Sequence, residues 1–329
     1  IAGLWLSTLI LLSAACGGSS ESNTLTIYSG RSESLVAPII QQFEGSSGAN
    51  VLVKYANTPH LAATLLEEGE RTPADVFFAQ DPGGLGAVES MLAPLPEDIL
   101  ALVPDWAKSP SKRWVGLSGR ARTVVYNTEE LTEQDLPDDL FGFVESQWRG
   151  RIGWAPTNAS FQTMVSAMRG IWGEEKTREW LEGINANDPK VYPKNTPIVA
   201  AAASGEIHVG FVNHYYLHRF LAEEGQGFQA RNYYPRSGGP GSVVMVAGAG
   251  ILSNSDKRDL AQRFLRFLLS PVAQRYFASE TFEYSIIDSI QAQGGQVPIA
   301  DFSHPDVSVA VLSDLNGTQK LLQSVGILP

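Results

Sequence analysis

Cysteine is nearly missing from this sequence: Cys16 stands alone among 329 residues. A single thiol excludes an intrachain disulfide and any multi-cysteine zinc or iron–sulfur site. Positive charge is also scarce, with 24 lysines and arginines against 35 aspartates and glutamates, a net charge of −11. Binding nucleic acid requires a basic stripe to neutralise phosphates, so that class is excluded, while a local basic pocket for a small anion stays open. No long apolar run follows the first 15 residues. Enzyme signatures are absent too: there is no G-x-S-x-G elbow, no phosphate-loop lysine and no G-x-G-x-x-G fingerprint. The glycines around Gly239 have no such lysine, and the lone cysteine near the start leaves none for cysteine catalysis. The expectation is a binding protein, not an enzyme. Hydrophobic residues make up 43% and charged residues 18%, which suffices for packed cores, and the length suits two domains at about 150 residues each.

Residues 1–15 carry no charge and are mostly apolar. Such a stretch is too short to span a bilayer stably and fits the apolar region of a signal peptide. Ser13–Ala14–Ala15–Cys16–Gly17–Gly18 resembles the lipobox of bacterial lipoproteins, with Cys16 as the lipidated residue. This implies a signal peptide over 1–15, a lipid-anchored spacer over 16–23, and a periplasmic or cell-surface location. One acyl chain holds weakly, so stable anchoring implies several.

Beyond the spacer, Leu25–Tyr28, Val51–Tyr55 and Ala74–Ala79 read as strands. Helical periodicity through Leu35–Phe43 and His60–Gly69 separates them, giving an α/β lobe with parallel strands. A second set of elements begins near Arg120. Strands are expected at Arg122–Tyr126, Arg151–Trp154, Ile207–Val212 and Val243–Ala247, with helices at Phe161–Met168, Glu174–Glu182, Thr196–Ser204, Tyr215–Glu224 and Lys257–Leu269. Ligands of open α/β sheets sit past the carboxyl ends of strands. Four such ends are polar: Tyr28–Glu33, Gln80–Asp81, Pro156–Phe161 and Asn213–Tyr216. Each is also what an ordinary helix cap looks like, and Asn213 reads as an N-cap. Tyr216 shares a helical stripe with Phe220, which suits core packing, and Tyr215 lies off it. His214 and His218 have the i, i+4 spacing of two zinc ligands, but no glutamate follows His214.

Taken in order, Leu25–Arg31, Ala74–Phe77, Gly119–Asn127, Tyr192–Asn195 and Asn213–Tyr216 resemble the periplasmic ferric-ion-binding proteins, the solute-binding receptors of iron(III) ABC transporters. The resemblance implies a two-lobed α/β periplasmic-binding-protein fold of type II. Two hinge strands, matching Arg122–Tyr126 and Val243–Ala247, join the lobes, with a ligand cleft between them. The implied lobes are 24–120 plus 243–280, and 121–242 plus 281–329. Ferric iron would be bound by the phenolates of Tyr215 and Tyr216. A synergistic anion, carbonate or phosphate, would lie on Asn158, Ala159 and Ser160, beside Asn195 and Asn213, with Arg31 and Arg122 as cationic contacts. The family's further ligand positions hold Ser32 and Glu33 after the first strand and Gln80 after the third. Glu33 is therefore expected to serve the metal or the anion held by Arg31, and Gln80 to be at most a neutral contact.

The implied chemistry is sound: Fe3+ is a hard cation suited by anionic oxygen, and phenols with a pKa of about 10 must lose protons to bind it. The implied role is a monomeric receptor delivering ferric iron to an ABC transporter permease. One alternative is the same fold binding an anionic small molecule (phosphate, phosphonate or an organic anion) through Arg31 and Arg120 or Arg122. Another is a zinc enzyme built on His214 and His218.

Overall fold

The computed structural model of the chain describes residues 23–287, 290–291 and 293–329. The expected signal segment, Cys16 and the spacer up to residue 22 lie outside the described residues. The first elements alternate as the periodicity predicts: β1 (Thr24–Ser29), α1 (Glu33–Ser47), β2 (Asn50–Tyr55), α2 (Thr58–Glu68) and β3 (Val76–Ala79). The apolar stripe of α1, Leu35, Val36, Ile39, Ile40 and Phe43, is buried, and Gly48 ends the helix with a left-handed backbone. β1 pairs in parallel with both β2 and β3.

The chain continues through α3 (Pro82–Ala87), α4 (Glu97–Leu100), β4 (Trp114–Asn127), β5 (Ile152–Trp154), α5 (Ala159–Trp172), α6 (Glu174–Ala186), β6 (Lys190–Val191) and α7 (Asn195–Ala203). It ends through β7 (Val209–Asn213), α8 (Tyr215–Glu224), β8 (Ala230–Tyr233), β9 (Val244–Ile251), α9 (Arg258–Leu268), α10 (Pro271–Ser279), α11 (Val309–Leu312) and α12 (Leu315–Ser324). The strands run in the order β2-β1-β3-β9-β4-β7-β5-β6, with β8 beside β4.

β4 is the spine. Only Arg122–Tyr126 is expected as strand, yet all 14 residues of Trp114–Asn127 are extended and buried. The first half has no alternation to read, because glycine and serine interrupt it at Gly116, Ser118 and Gly119 and both faces are covered. That half pairs antiparallel with β9, from Trp114↔Gly250 to Ala121↔Val244, and its register shifts between Gly116 and Ser118. From Arg122 onward β4 pairs instead with β7, starting at Arg122↔Asn213. One strand thus belongs to two strand groups and changes partner between Ala121 and Arg122, beside the expected hinge. A third segment meets it there, since Gly119 and Tyr284 exchange backbone hydrogen bonds of 2.7 and 2.8 Å.

One apolar cluster fills the β1–β3–β9 half around Phe43, Phe77, Phe264 and Phe277 and runs on through Val125, Ile198 and Tyr215. A second, rich in aromatics, joins Trp148, Trp154, Phe161, Trp180 and Phe211. α12 packs on α5 in that second half. Close approach of backbones sets the loop after β1: a Cβ on Gly30 would collide with Oγ1 of Thr58, at the start of α2. No helix among the described residues is long and apolar enough to cross a membrane.

Candidate metal and anion site

β7 is buried along its length and feeds almost directly into α8. The turn leaves Tyr215 fully buried and Tyr216 6% exposed. Their rings stack, with centroids 4.2 Å apart. The Tyr215 hydroxyl has no hydrogen-bond partner among the described residues. Burial, and then the adjoining Tyr215 phenol, hold the Tyr216 pKa well above 10. Both rings therefore lie in a desolvated site, and the Tyr216 phenol would ionise there only against a strong Lewis acid or base.

His214 is occupied elsewhere. Its Nδ1 accepts the Ala121 amide at 3.1 Å, Nε2 lies 3.3 Å from Gln296 Oε1, and the ring stacks on Tyr284 at 4.3 Å. Burial, with His218 nearby, pushes its pKa down to about 3. Both nitrogens are engaged, so the His214–His218 spacing offers no free pair for zinc. No group of three His, Cys, Asp or Glu among the described residues is placed to hold a metal.

Asn213 does not cap α8. His214 stands at that position, while the Asn213 amide accepts from Arg122 Nη1 at 2.9 Å and donates to Ser160 Oγ at 3.0 Å. Arg122 Nη1 also reaches Asn195 Oδ1 at 3.2 Å, and Asn195 donates to Asn158 Oδ1 at 3.2 Å. Asn158 caps α5 by accepting the Ser160 amide at 3.1 Å. Asn158, Ala159, Ser160, Asn195, Asn213 and Arg122 are thus gathered at the N-terminus of α5, a favourable place for an anion. Across from them Gln80, at the end of β3, donates to Ser160 Oγ at 2.8 Å, and its own amide is held by Thr58 Oγ1 at 2.9 Å.

Three arginines are buried here: Arg31 at 2% exposure, Arg120 and Arg122 at 0%. Burial lowers the Arg122 pKa to about 9, and its Nε and Nη2 have no partner among the described residues. All three guanidinium nitrogens of Arg120 are likewise without a hydrogen-bond partner. Arg31 is different. Its Nη2 pairs with Glu283 at 2.7 Å and its Nη1 with Ser118 Oγ at 3.4 Å. Burial opposes its charge, but Glu283 and then Tyr215 outweigh that, and the Arg31 pKa stands above its ordinary value. Asp81 is buried as well. Desolvation raises its pKa, with Arg120 and Thr163 opposing.

Glu33 is not brought into this cluster. It lies exposed in the first turn of α1, where its charge acts on Tyr55, and the carboxylate that Arg31 holds is Glu283. The physical reason is the turn at Ser29–Arg31, where Ser29 Oγ accepts the Arg31 amide at 3.2 Å, while the helix beginning at Glu33 points that side chain to solvent. Nothing in the sequence points to Glu283. It lies 252 residues from Arg31, and no local pattern in its neighbourhood signals a buried charge. The sequence offers Arg120 only as an alternative anion contact.

The chain is similar to proteins of known role. A family model described as bacterial extracellular solute-binding protein matches residues 72–299. The major ferric iron-binding protein of Neisseria meningitidis serogroup B is 33% identical over 311 residues, covering 92% of this chain and 93% of that protein. The Fe(3+)-binding periplasmic protein of Serratia marcescens is 28% identical, covering 98% and 96%. Among solved structures, iron-bound HitA from Pseudomonas aeruginosa superposes with a TM-score of 0.88 at 31% identity, over 92% of this chain and 99% of that one. A Trichodesmium protein in complex with iron and citrate ligands superposes at 0.77 with 27% identity, over 93% and 100%. The two-lobed α/β periplasmic-binding fold is therefore the fold of this chain, and the chain belongs to the bacterial extracellular solute-binding proteins.

Proposed function

We propose that this protein captures ferric iron with a synergistic anion and delivers it to an ABC transporter permease, acting as a receptor and not as an enzyme. Its lobes, 24–120 with 243–280 and 121–242 with 281–329, close over the cargo. Tyr215 and Tyr216 are the metal ligands. The observation that carries this reading is the buried, stacked phenol pair, one hydroxyl without a partner among the described residues, set beside three buried arginines. Iron supplies the charge that displaces the phenol protons, against burial in the case of Tyr216.

Charge counting supports the anion. Two phenolates leave Fe3+ with one positive charge. Arg120 and Arg122 add two; Glu283 is committed to Arg31, and the buried Asp81 carboxyl beside Arg120 offsets at most one of them. An anion of two or three negative charges balances the set, with Arg120, Arg122 and the α5 N-terminus as its cradle. Carbonate, phosphate and small polycarboxylates all suit. Gln80 closes the site as a neutral contact, and Glu33, exposed on α1, is left outside it. The expected anchor is a lipid on Cys16, placing the receptor at the periplasmic or cell-surface side of a membrane.

The test is competition for iron against a chelator. The outer partners of a metal site alone are worth about 10–100-fold in affinity, so removing a ligand oxygen in Tyr215→Phe or Tyr216→Phe is expected to cost roughly a hundredfold or more. Melting of the iron-free protein should barely move, because each ring remains. Parental affinity in both variants would refute the phenolate site. The unpartnered nitrogens of Arg120 and Arg122 favour one second reading, capture of an anion without metal. Phosphate binding that is tight without iron, together with no iron uptake, would select it.

A further inference from the structure

The bridge between Gly119 and Tyr284 has a consequence for charge. In an antiparallel pair, residues one step on and one step back from a bridged pair also face each other, on the same side. Arg120 and Glu283 are that pair, and the Glu283 Oε1 to Arg120 Nη1 distance is 4.0 Å. The other oxygen, Oε2, accepts from Arg31 Nη2 at 2.7 Å and from Thr281 Oγ1 at 3.0 Å. Oε1 itself has no hydrogen-bond partner among the described residues. The chain reaches this position through Phe282, whose φ of 56° is a left-handed backbone that a bulky residue rarely adopts. The turn delivers a fully buried carboxylate between two buried guanidinium groups.

Resting on the proposed function, we infer that Glu283 is a positioning residue that sets the anion specificity of the site. It holds Arg31 in the scaffold through Oε2, and through Oε1 it draws Arg120 towards the hinge by charge alone, leaving every Arg120 donor for the cargo anion. It also cancels one of three buried positive charges, which fixes how much negative charge the cargo must bring.

Inorganic phosphate titrated into the iron-free protein tests this by calorimetry. Glu283→Gln keeps the shape and removes the charge that repels an anion, and phosphate is expected to bind about tenfold tighter, the size of one partly screened charge interaction at this range. Arg120→Gln is expected to weaken phosphate about tenfold or more, as befits a charge-assisted contact. In the Arg120→Gln background, Glu283→Gln should still tighten phosphate but by clearly less than in the parent, because the repulsion of the anion remains while the part of the effect that passes through Arg120 is gone. Unchanged or weaker phosphate binding in a folded Glu283→Gln variant would overturn the inference. Should that variant not fold, parental phosphate affinity in Arg120→Gln would do the same. The iron reading is judged separately, by ferric uptake of the parent, so either can fail without the other.

Discussion

At the scale of single residues, the site divides into groups that ionise and groups that hold them. Tyr215 and Tyr216 have the donor chemistry for a hard cation, and desolvation of Tyr216 makes a metal the means of removing its proton. His214, next in sequence, is a support: neutral, stacked on Tyr284, and bonded to the Ala121 amide of β4. Gln80 and Glu33 separate cleanly. The Gln80 amide bridges to Ser160 from the other half of the sheet, whereas Glu33 is exposed. Gln80→Ala removes a bond worth about 1 kcal/mol, so iron should pass to a chelator roughly fivefold faster. Glu33→Gln should stay within about twofold of the parent, as surface substitutions usually do. Stopped-flow chelator capture checks both, and a larger effect at Glu33 would restore it as a ligand.

At the scale of elements, the site depends on close approach of β1, α2 and β3. Gly30 lies against Thr58, and Thr58 Oγ1 holds the Gln80 amide. Gly30→Ala forces Thr58 aside, and overpacking of this kind costs about 1–3 kcal/mol. The expected result is a melting point several degrees lower together with weaker iron binding, read by calorimetry and chelator competition. An unchanged melting point would mean that the loop relaxes freely.

Much at this scale is legible in the sequence. The stripe of α1, the parallel β1–β3 unit and the strand-to-helix passage at β7–α8 all follow from periodicity. The tyrosine pair is legible as a ligand pair only through the family resemblance, since stripe reading alone assigns Tyr216 to the core. The first half of β4 is hidden, because burial on both faces removes alternation. α3 is hidden too, because Pro82–Gly83–Gly84–Leu85–Gly86–Ala87 has poor helix propensity and is held by tertiary contacts, with Asp81 at its N-cap. Glu283 is the hardest case, since its role exists only once β4 and the segment after α10 lie side by side.

At the scale of the molecule, β4 and β9 link two strand groups, and the phenols, the arginines and the Gln80–Ser160 contact lie where those groups meet. Desolvation and charge are therefore concentrated at this junction. Because the iron-free Tyr216 phenol is protonated well past neutrality, iron uptake must expel its proton. Affinity should fall as pH drops, about tenfold per unit for each phenol proton released. Conditional affinities measured at two pH values near neutrality check the sign, and a flat profile would exclude phenol ionisation. The central claim, that Tyr215 and Tyr216 are the iron ligands, is tested most directly by resonance Raman spectroscopy of the ferric-loaded protein under visible excitation. The account predicts enhanced tyrosinate ring modes in the parent, weakened modes in Tyr215→Phe and in Tyr216→Phe, and none in the double variant. A colourless ferric complex, or ring modes that persist in the double variant, would contradict it.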